Sequence, residues 1–236
     1  MKVITWNCNG ALRNKFESLL KYDADIHIIQ ECENPAETKN NEFIKWSENY
    51  LWIGDTKNRG LGVFAKPNYQ LRKLDWPEIY KDHRVKYFLP VSVNETFDVL
   101  AVWTHQNNSP NFGYIGQLWK YLQINKSKLN ESIIIGDFNS NSIWDEWDRW
   151  WNHSDVVKEL KELGIVSLYH KFYNENHGKE TQPTFYLHRN IKKPYHIDYC
   201  FASKKFVNKM KDVTVGKYEK WQDLSDHSPM IFMFED

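Results

Sequence analysis

The run Ile133-Ile134-Ile135-Gly136-Asp137-Phe138-Asn139-Ser140 constrains the fold more than any other stretch of this chain. Successive side chains of a strand point to opposite faces, so three isoleucines in a row need apolar cover on both sides and predict an interior strand between two layers. The run then stops in an acid, an aromatic and an amide. With extended geometry carried through the end, Asp137 and Asn139 share one face while Phe138 anchors in packing on the other. Two hydrogen-bonding groups then converge at the end of a rigid element, which is one way to build a site.

Four other places repeat the pattern. Residues 2–6 lead into Asn7-Cys8-Asn9-Gly10, where period two puts both amides on one side and Gly10 frees the backbone to turn. Asp25-Ile26-His27-Ile28-Ile29-Gln30 leads into Glu31. His196-Ile197-Asp198-Tyr199-Cys200-Phe201 reads as a strand, and Ser225-Asp226-His227-Ser228-Pro229 precedes the last apolar run, 230–234. Taken singly, an Asn after a strand is a turn residue and an Asp-His pair is solvated surface. Their joint order carries more. Trp6-Asn7-Cys8-Asn9-Gly10, Gln30-Glu31, Gly136-Asp137-Phe138-Asn139, Ile197-Asp198-Tyr199 and Ser225-Asp226-His227-Ser228-Pro229 resemble, in family order, the endonuclease/exonuclease/phosphatase superfamily. That superfamily holds pancreatic-type DNases, abasic-site repair endonucleases, deadenylases, sphingomyelinases and inositol-polyphosphate 5-phosphatases. Two departures stand out: many repair members have an acid where this chain has Asn9, and a basic residue soon after the glutamate where it has Cys32-Glu33.

The resemblance implies an α/β fold of the DNase I-like, four-layer kind, a two-sheet β-sandwich flanked by helices, formed by residues 1–236 as one domain. It also implies a metal-dependent hydrolase of phosphate esters. Oxygen donors without Cys or His pairs suit a hard ion, so Mg²⁺, or Mn²⁺ in its place, is the expected cofactor. Glu31 is the expected main ligand, with Asn7, Asn9 and Asp226 completing the protein's share of the shell; Asn rather than Asp at position 9 removes a negative charge and should weaken metal binding without abolishing it. Asp137 would take up or orient the attacking water and Asn139 would fix its direction. Asp198 would hold His227 in one tautomer, so that His227 can be charged against phosphate or act as base. Which of Asp137 and His227 takes the proton stays open. Val102-Trp103-Thr104-His105 resembles the strand-end Thr-His of DNase-, deadenylase- and sphingomyelinase-type members, which makes His105 a second histidine for the phosphate and a candidate acid for the leaving oxygen; the bland reading is a loop histidine beside Gln106-Asn107-Asn108-Ser109.

Global charge does not choose a partner, since Lys plus Arg and Asp plus Glu each number 31. Distribution says more. Across 186–211, Arg189, Lys192, Lys193, Lys204, Lys205, Lys209 and Lys211 face the single acid Asp198, a basic stretch expected beside the site, with Arg189, Lys192 and Lys193 as substrate-binding residues. Nucleic acid is therefore the expected partner and a nuclease the expected activity. The alternatives are a phosphatase or phosphodiesterase for inositol-phosphate or phospholipid headgroups and, more remotely, a non-catalytic binding module of the same fold. Met1-Lys2-Val3-Ile4 enters the first strand directly and no apolar run approaches the roughly 18 residues that cross a bilayer, which together imply a cytoplasmic chain; a monomer with no obligate protein partner is expected. Cys8, Cys32 and Cys200 have no metal-type spacing and read as reduced packing residues.

Periodicity places helices at 12–20, 35–46 and 114–124, paired strands at 50–54 and 61–65, and a hairpin of 85–93 with 97–104. In 143–151, Trp144, Trp147 and Trp151 fall on one helical face and are expected to pack in the core or a lid. Pro183-Thr184-Phe185-Tyr186 resembles the family's segment ahead of the Asp198 strand.

Overall fold

The computed structural model describes residues 1–107 and 111–235. In chain order the first part holds β1 (Lys2–Asn7), α1 (Glu17–Leu20), β2 (Ile26–Cys32), α2 (Asn41–Trp46), β3 (Tyr50–Thr56) and β4 (Arg59–Ala65). The middle holds β5 (Leu71–Lys73), a small hairpin of β6 (Ile79–Tyr80) and β7 (His83–Arg84), then β8 (Phe88–Val93), β9 (Phe97–Trp103), α3 (Ile115–Asn125) and β10 (Ser132–Asp137). The last part runs α4 (His153–Glu162), β11 (Ile165–Ser167), α5 (Leu168–Tyr173), the hairpin strands β12 (Phe185–Tyr186) and β13 (Pro194–Tyr195), β14 (Asp198–Ser203), α6 (Lys204–Lys209), β15 (Met210–Val215), α7 (Tyr218–Trp221) and β16 (Met230–Phe234).

Two six-stranded sheets result, ordered β15-β16-β1-β2-β4-β3 and β11-β14-β10-β9-β8-β5. Each has one parallel pair at its centre, β1 with β2 and β9 with β10, while its other pairs are antiparallel. The isoleucine run behaves as its sequence requires. Ile133 and Ile135 face the other sheet in the cluster that includes Val3, Ile28, Val63 and Cys200, while Ile134 turns outward against α3 and α4 beside Leu118, Leu122 and Leu160. The outer face of the first sheet is covered in the same way, with Ile4, Trp6 and Ile29 under Leu12, Phe16, Phe43 and Trp221. Helices, sheet, sheet and helices thus form four layers, as the resemblance implies. At about 1.5–3 kcal/mol for each fully buried aliphatic side chain, burial on both faces makes β10 a stiff support for what lies at its end.

Several local expectations shift. The 12–20 stretch is a 3₁₀ turn at Leu12–Asn14 followed by the single turn of α1, because Glu33 takes the amides of Leu12 and Arg13; Leu12, Phe16 and Leu19 are buried as their spacing indicates, but Leu20 is exposed. The 35–46 helix splits into a turn at Pro35–Glu37 and α2, started afresh by the Asn40 side chain. The largest correction is at 143–151. The helix begins only at His153, where Asn152 and Asp155 form a reciprocal cap that the sequence does carry. Trp144 packs at a tilt against Tyr195 at 5.1 Å and Trp151 against Phe112 at 5.0 Å, whereas Trp147 is 95% exposed, so the three share no helical face. The cysteines are free and buried, as expected of packing residues.

Candidate active site

Alternation sets the direction of the side chains. Since Val3, Ile135 and Cys200 point between the sheets, Asn7, Asp137 and Asp198, an even number of residues away from each, point the same way, at the end where β1 and β10 finish and β14 starts. Glu31 would fall on the wrong face of β2. A bulge between Gln30 and Cys32, with Glu31 at φ 60°, turns its carboxylate to the shared end instead, where Asn7 Nδ2 donates to Glu31 Oε1 at 3.2 Å and to Asp137 Oδ2 at 3.0 Å. One amide therefore ties together residues from both sheets.

The two Asn-bearing strand ends are built alike, though not as extended chain. Asn9 (φ 51°) and Asn139 (φ 45°) are both left-handed, and each backbone amide bonds back to the side chain two residues before it, Asn9 N to Asn7 Oδ1 at 3.1 Å and Asn139 N to Asp137 Oδ1 at 2.8 Å. These are Asx turns, which short polar side chains form at small cost. Asn139 Nδ2 adds bonds to Asp137 Oδ2 at 3.0 Å and to Thr104 O at 3.1 Å, so Asp137 is held by three donors, while Phe138 lies fully buried on the helix side. Before it, Gly136 has φ 149° and a Cβ there would lie 1.8 Å from the Val102 carbonyl oxygen, so no other residue fits.

His227 closes the group. Its Nδ1 is 2.9 Å from Asp198 Oδ2 and its Nε2 is 3.9 Å from Asp137 Oδ2. Trp6 Nε1 donates to the His227 carbonyl, the Ser225 hydroxyl accepts from His227 N and donates to Asn7 O, Phe185 stacks on the ring at 4.6 Å, and Thr184 Oγ1 accepts the amides of Ile197 and Asp198. Burial alone would discharge His227, but the carboxylates of Asp198, Asp137 and Asp226 outweigh it and push the imidazole up to about 10. Burial is also the main reason that the Asp137 carboxyl is pushed up, with Asp198 adding to it and His227 opposing. A charged imidazole and a carboxyl titrating well above its usual range therefore face each other.

Asn9 Nδ2 donates to Asp226 Oδ1 at 3.2 Å, a contact that an acid at position 9 would turn into repulsion. Glu31 Oε2 is paired with the guanidinium of Arg59 at 3.1 Å, and that side chain is half-exposed. A cation thus already sits against Glu31 in a solvent-accessible place, and Asn7 and the Asn9–Asp226 pair are linked to the same strand end through the bonds of Asn7. Asp137, Asp198 and His227 make a second group whose ligand atoms lie within 4.8 Å of one another, but His227 Nδ1 and Asp198 Oδ2 already satisfy each other.

His105 stands exposed at the rim, its ring against Trp103 and Tyr87 and its Nδ1 accepting from Asn107 N at 3.3 Å; Asn108 and Ser109 of the adjoining polar run lie outside the described residues. Arg189, Lys192 and Lys193 are exposed on the connection between β12 and β13. Tyr218 donates to the Arg189 carbonyl and Tyr186 N to Asp226 O, which keeps this connection beside Asp226. The rest of the basic stretch is elsewhere. From Asp198 to Ser203, β14 runs about 17 Å away from the site, so Lys204, Lys205, Lys209 and Lys211 lie at the far end, where Lys205 pairs with Glu131 and Lys211 with Glu235. Sequence reading also passed over Arg59 and Lys15, whose Nζ bonds the Cys8 and Asn9 carbonyls; a cation brought in from a separate strand or helix leaves no local signature.

Residues 4–227 match the family model of the endonuclease/exonuclease/phosphatase family. The chain belongs to this family. Its members are nucleases and phosphatases, enzymes that hydrolyse phosphate esters and generally depend on a divalent metal. No curated protein matches the sequence. Among solved structures, a 3′ phosphatase from Neisseria bound to a product DNA hairpin is similar at TM-score 0.73 and 18% identity, over 100% of both chains. An AP endonuclease from Archaeoglobus fulgidus is similar at TM-score 0.72 and 17% identity, again over 100% of both chains. A family member from Leptotrichia buccalis follows at TM-score 0.61 and 18% identity, with the same coverage. Such identities speak for the fold alone. Among the described residues, no helix is long and apolar enough to cross a membrane.

Proposed function

We propose that this family member is a Mg²⁺-dependent phosphodiesterase acting on nucleic acid. The observation that carries the chemistry is the buried pairing of Asp137, held by three donors, with His227, held by Asp198. Asp137, raised toward neutral pH, is the better proton acceptor for the attacking water, because His227 keeps its own proton near neutrality. His227 then presents a positive N–H where phosphate charge develops, and Asn139 fixes the carboxylate it is bonded to. His105 serves as acid for the leaving oxygen, since its bond at Nδ1 leaves Nε2 free. Mg²⁺, held by Glu31 with Asn7, Asn9 and Asp226, would neutralise non-bridging oxygens. Arg59 would move from Glu31 to the substrate phosphate as the ion is taken up.

The choice of nucleic acid rests on Arg189, Lys192 and Lys193 beside Asp226, and on the structural neighbours, a 3′ phosphatase bound to a product DNA hairpin and an AP endonuclease. The test is incubation with Mg²⁺ and separate panels of plasmid, single-stranded RNA, abasic duplex, 3′-phosphorylated hairpin and inositol phosphates. Turnover confined to inositol phosphates would end the nucleic-acid reading.

A further inference from the structure

Behind the candidate active site, on the other side of β14, lies a second polar group that phosphate chemistry does not use. His170 on α5, followed by His177 and Glu180 on the next loop, present ligand atoms that all lie within 4.8 Å of one another. His170 Nε2 is 3.0 Å from Glu180 Oε1, and the rings of His170 and His177 stack at 3.6 Å. Around Zn²⁺, tetrahedral N and O ligands at about 2.0–2.2 Å stand some 3.3 Å apart, so the donors are near enough, but the stacked rings hold their lone pairs in separate planes and one ring has to turn about its Cβ–Cγ bond for both to meet one ion.

The surroundings are those of a ligand shell. Ser167 Oγ is 2.7 Å from His170 Nδ1 and His153 Nε2 is 3.0 Å from His177 Nδ1, so each ring is oriented through its Nδ1, with His170 Nε2 turned to the Glu180 carboxylate. Glu180 accepts from Gly178 N and from Asn141 Nδ2, which fixes the carboxylate. At Gly178 (φ 83°) a Cβ would lie 2.6 Å from Ser142 Oγ, so the loop is closed tightly over the group. His153 is buried with its Nδ1 unpartnered, and the nearby His196 Nε2 is unpartnered too. A cavity of about 590 Å³, lined by His170, His177, Ser167, Phe201 and Val207, gives access from solvent.

We propose that His170, His177 and Glu180 bind a borderline transition ion of the Zn²⁺ kind, separate from the hard-ion site at Glu31. The ion takes the place between His170 Nε2 and Glu180 Oε1 now held by a proton, His170 then carrying its one proton at Nδ1 and donating it to Ser167 Oγ, and a water from the cavity fills the fourth position. Two imidazoles and one carboxylate prefer such an ion to Mg²⁺. Its effect is structural. Asn141, bonded to Glu180, also bonds the His196 carbonyl and the Tyr199 hydroxyl, so the ion ties the 174–181 loop to the segments that carry Asn139 and Asp198.

The test is titration of the whole, chelator-treated protein with Zn²⁺, and with Co²⁺ for its visible ligand-field bands, in a large excess of Mg²⁺. Expected are one equivalent bound despite the Mg²⁺, a rise in melting temperature that grows with the logarithm of free Zn²⁺, and cobalt bands of a four-coordinate site. His177→Ala and the near-isosteric Glu180→Gln should each weaken binding by more than about 100-fold, whereas Glu31→Gln should not change it. No saturable binding under excess Mg²⁺ would overturn the proposal. Binding unchanged in both His177→Ala and Glu180→Gln would overturn it as well, by placing the ion elsewhere. Neither outcome bears on phosphodiester turnover, so this site and the proposed activity fail independently.

Discussion

Two buried groups flank β14, and each is centred on a His–carboxylate pair: His227 with Asp198 at 2.9 Å, and His170 with Glu180 at 3.0 Å. The pairs are alike; the company they keep is not. Around His227 stand Asp137, Asp198 and Asp226, and the imidazole is pushed up to carry charge. Around Glu180 stand His153, His170, His177 and His196, and there, although burial would raise it, bonds from His170 and the amides hold the carboxylate down at about 2 while His153 and His177 are kept neutral. An excess of carboxylates yields a cation suited to meeting phosphate. An excess of imidazoles yields lone pairs suited to a metal. The fold provides the proximity, and the ratio of acids to histidines decides the chemistry.

The sharpest way to break this comparison is at the charged group. Asp137→Asn and His227→Ala should each lower kcat by roughly 10² to 10⁴ or more, since one removes a proton acceptor and the other a positioned donor. His177→Ala, in the other group, should leave kcat within a few-fold in Mg²⁺. Steady-state rates on the best substrate of the panel decide it, and near-normal turnover in either of the first two variants would remove that residue from the mechanism.

Next in size is Glu31→Gln. It should slow hydrolysis severely and raise the Mg²⁺ concentration for half-maximal rate, with melting temperature little changed, because Glu31 stands at a strand end and meets Arg59 rather than the core. An unchanged Mg²⁺ requirement would take Glu31 out of the ion's shell.

Stability against pH separates the two groups by sign. His153 and His177 titrate lower in the folded chain than their ordinary value of 6.5, so below that pH the unfolded chain takes up protons that the folded chain refuses. Their share of stability is full above pH 6.5 and is lost as pH falls toward about 3. His227 runs the other way: its share is full below 6.5 and is lost as pH rises through about 10. Melting temperatures from pH 4 to 10 should therefore fall at both ends, and His153→Asn should flatten the acid limb only. An acid limb unchanged in that variant would mean that other groups set it.

The smallest effect concerns the exposed loop. Replacing Arg189, Lys192 and Lys193 together by Ala should reduce the slope of log affinity against log salt on a duplex by about two to three, at roughly 0.9 per phosphate contact, with little change in turnover on a minimal phosphodiester. A flat slope in both proteins would favour a small headgroup substrate.

How much of this was legible beforehand follows a physical divide. β10 was, because three isoleucines admit only a doubly covered strand, and so was the placement of Asn7, Glu31 and Asp137 at strand ends, since each lies within two positions of an apolar run. The route of the backbone past those ends was not. Asn9 and Asn139 turn left-handed instead of continuing extended, and Glu31 needs a bulge to reach the site. The 143–151 segment misled because its tryptophans sit at helical spacing, while the cap that starts the helix, Asn152 with Asp155, comes after them. The basic stretch misled because strand length, not sequence proximity, separates Lys193 from Lys204. The spacing of His170, His177 and Glu180 was there to be seen, but only folding shows that His153 and Asn141 converge on it.

β1 pairs on one edge with β2 and on the other with β16, with Lys2 opposite Met233, and Trp6 reaches across to the His227 carbonyl. The first strand of the first sheet therefore stays half-finished until nearly the whole chain is available, and closing so long a loop is slow. Asn7, which bonds Asp137 of the other sheet, stands at the end of a strand held on one side by residues near the start of the sequence and on the other by residues more than two hundred positions away. The pairing that joins the two ends of the chain thus also sets the end of β1 on which Asn7 stands.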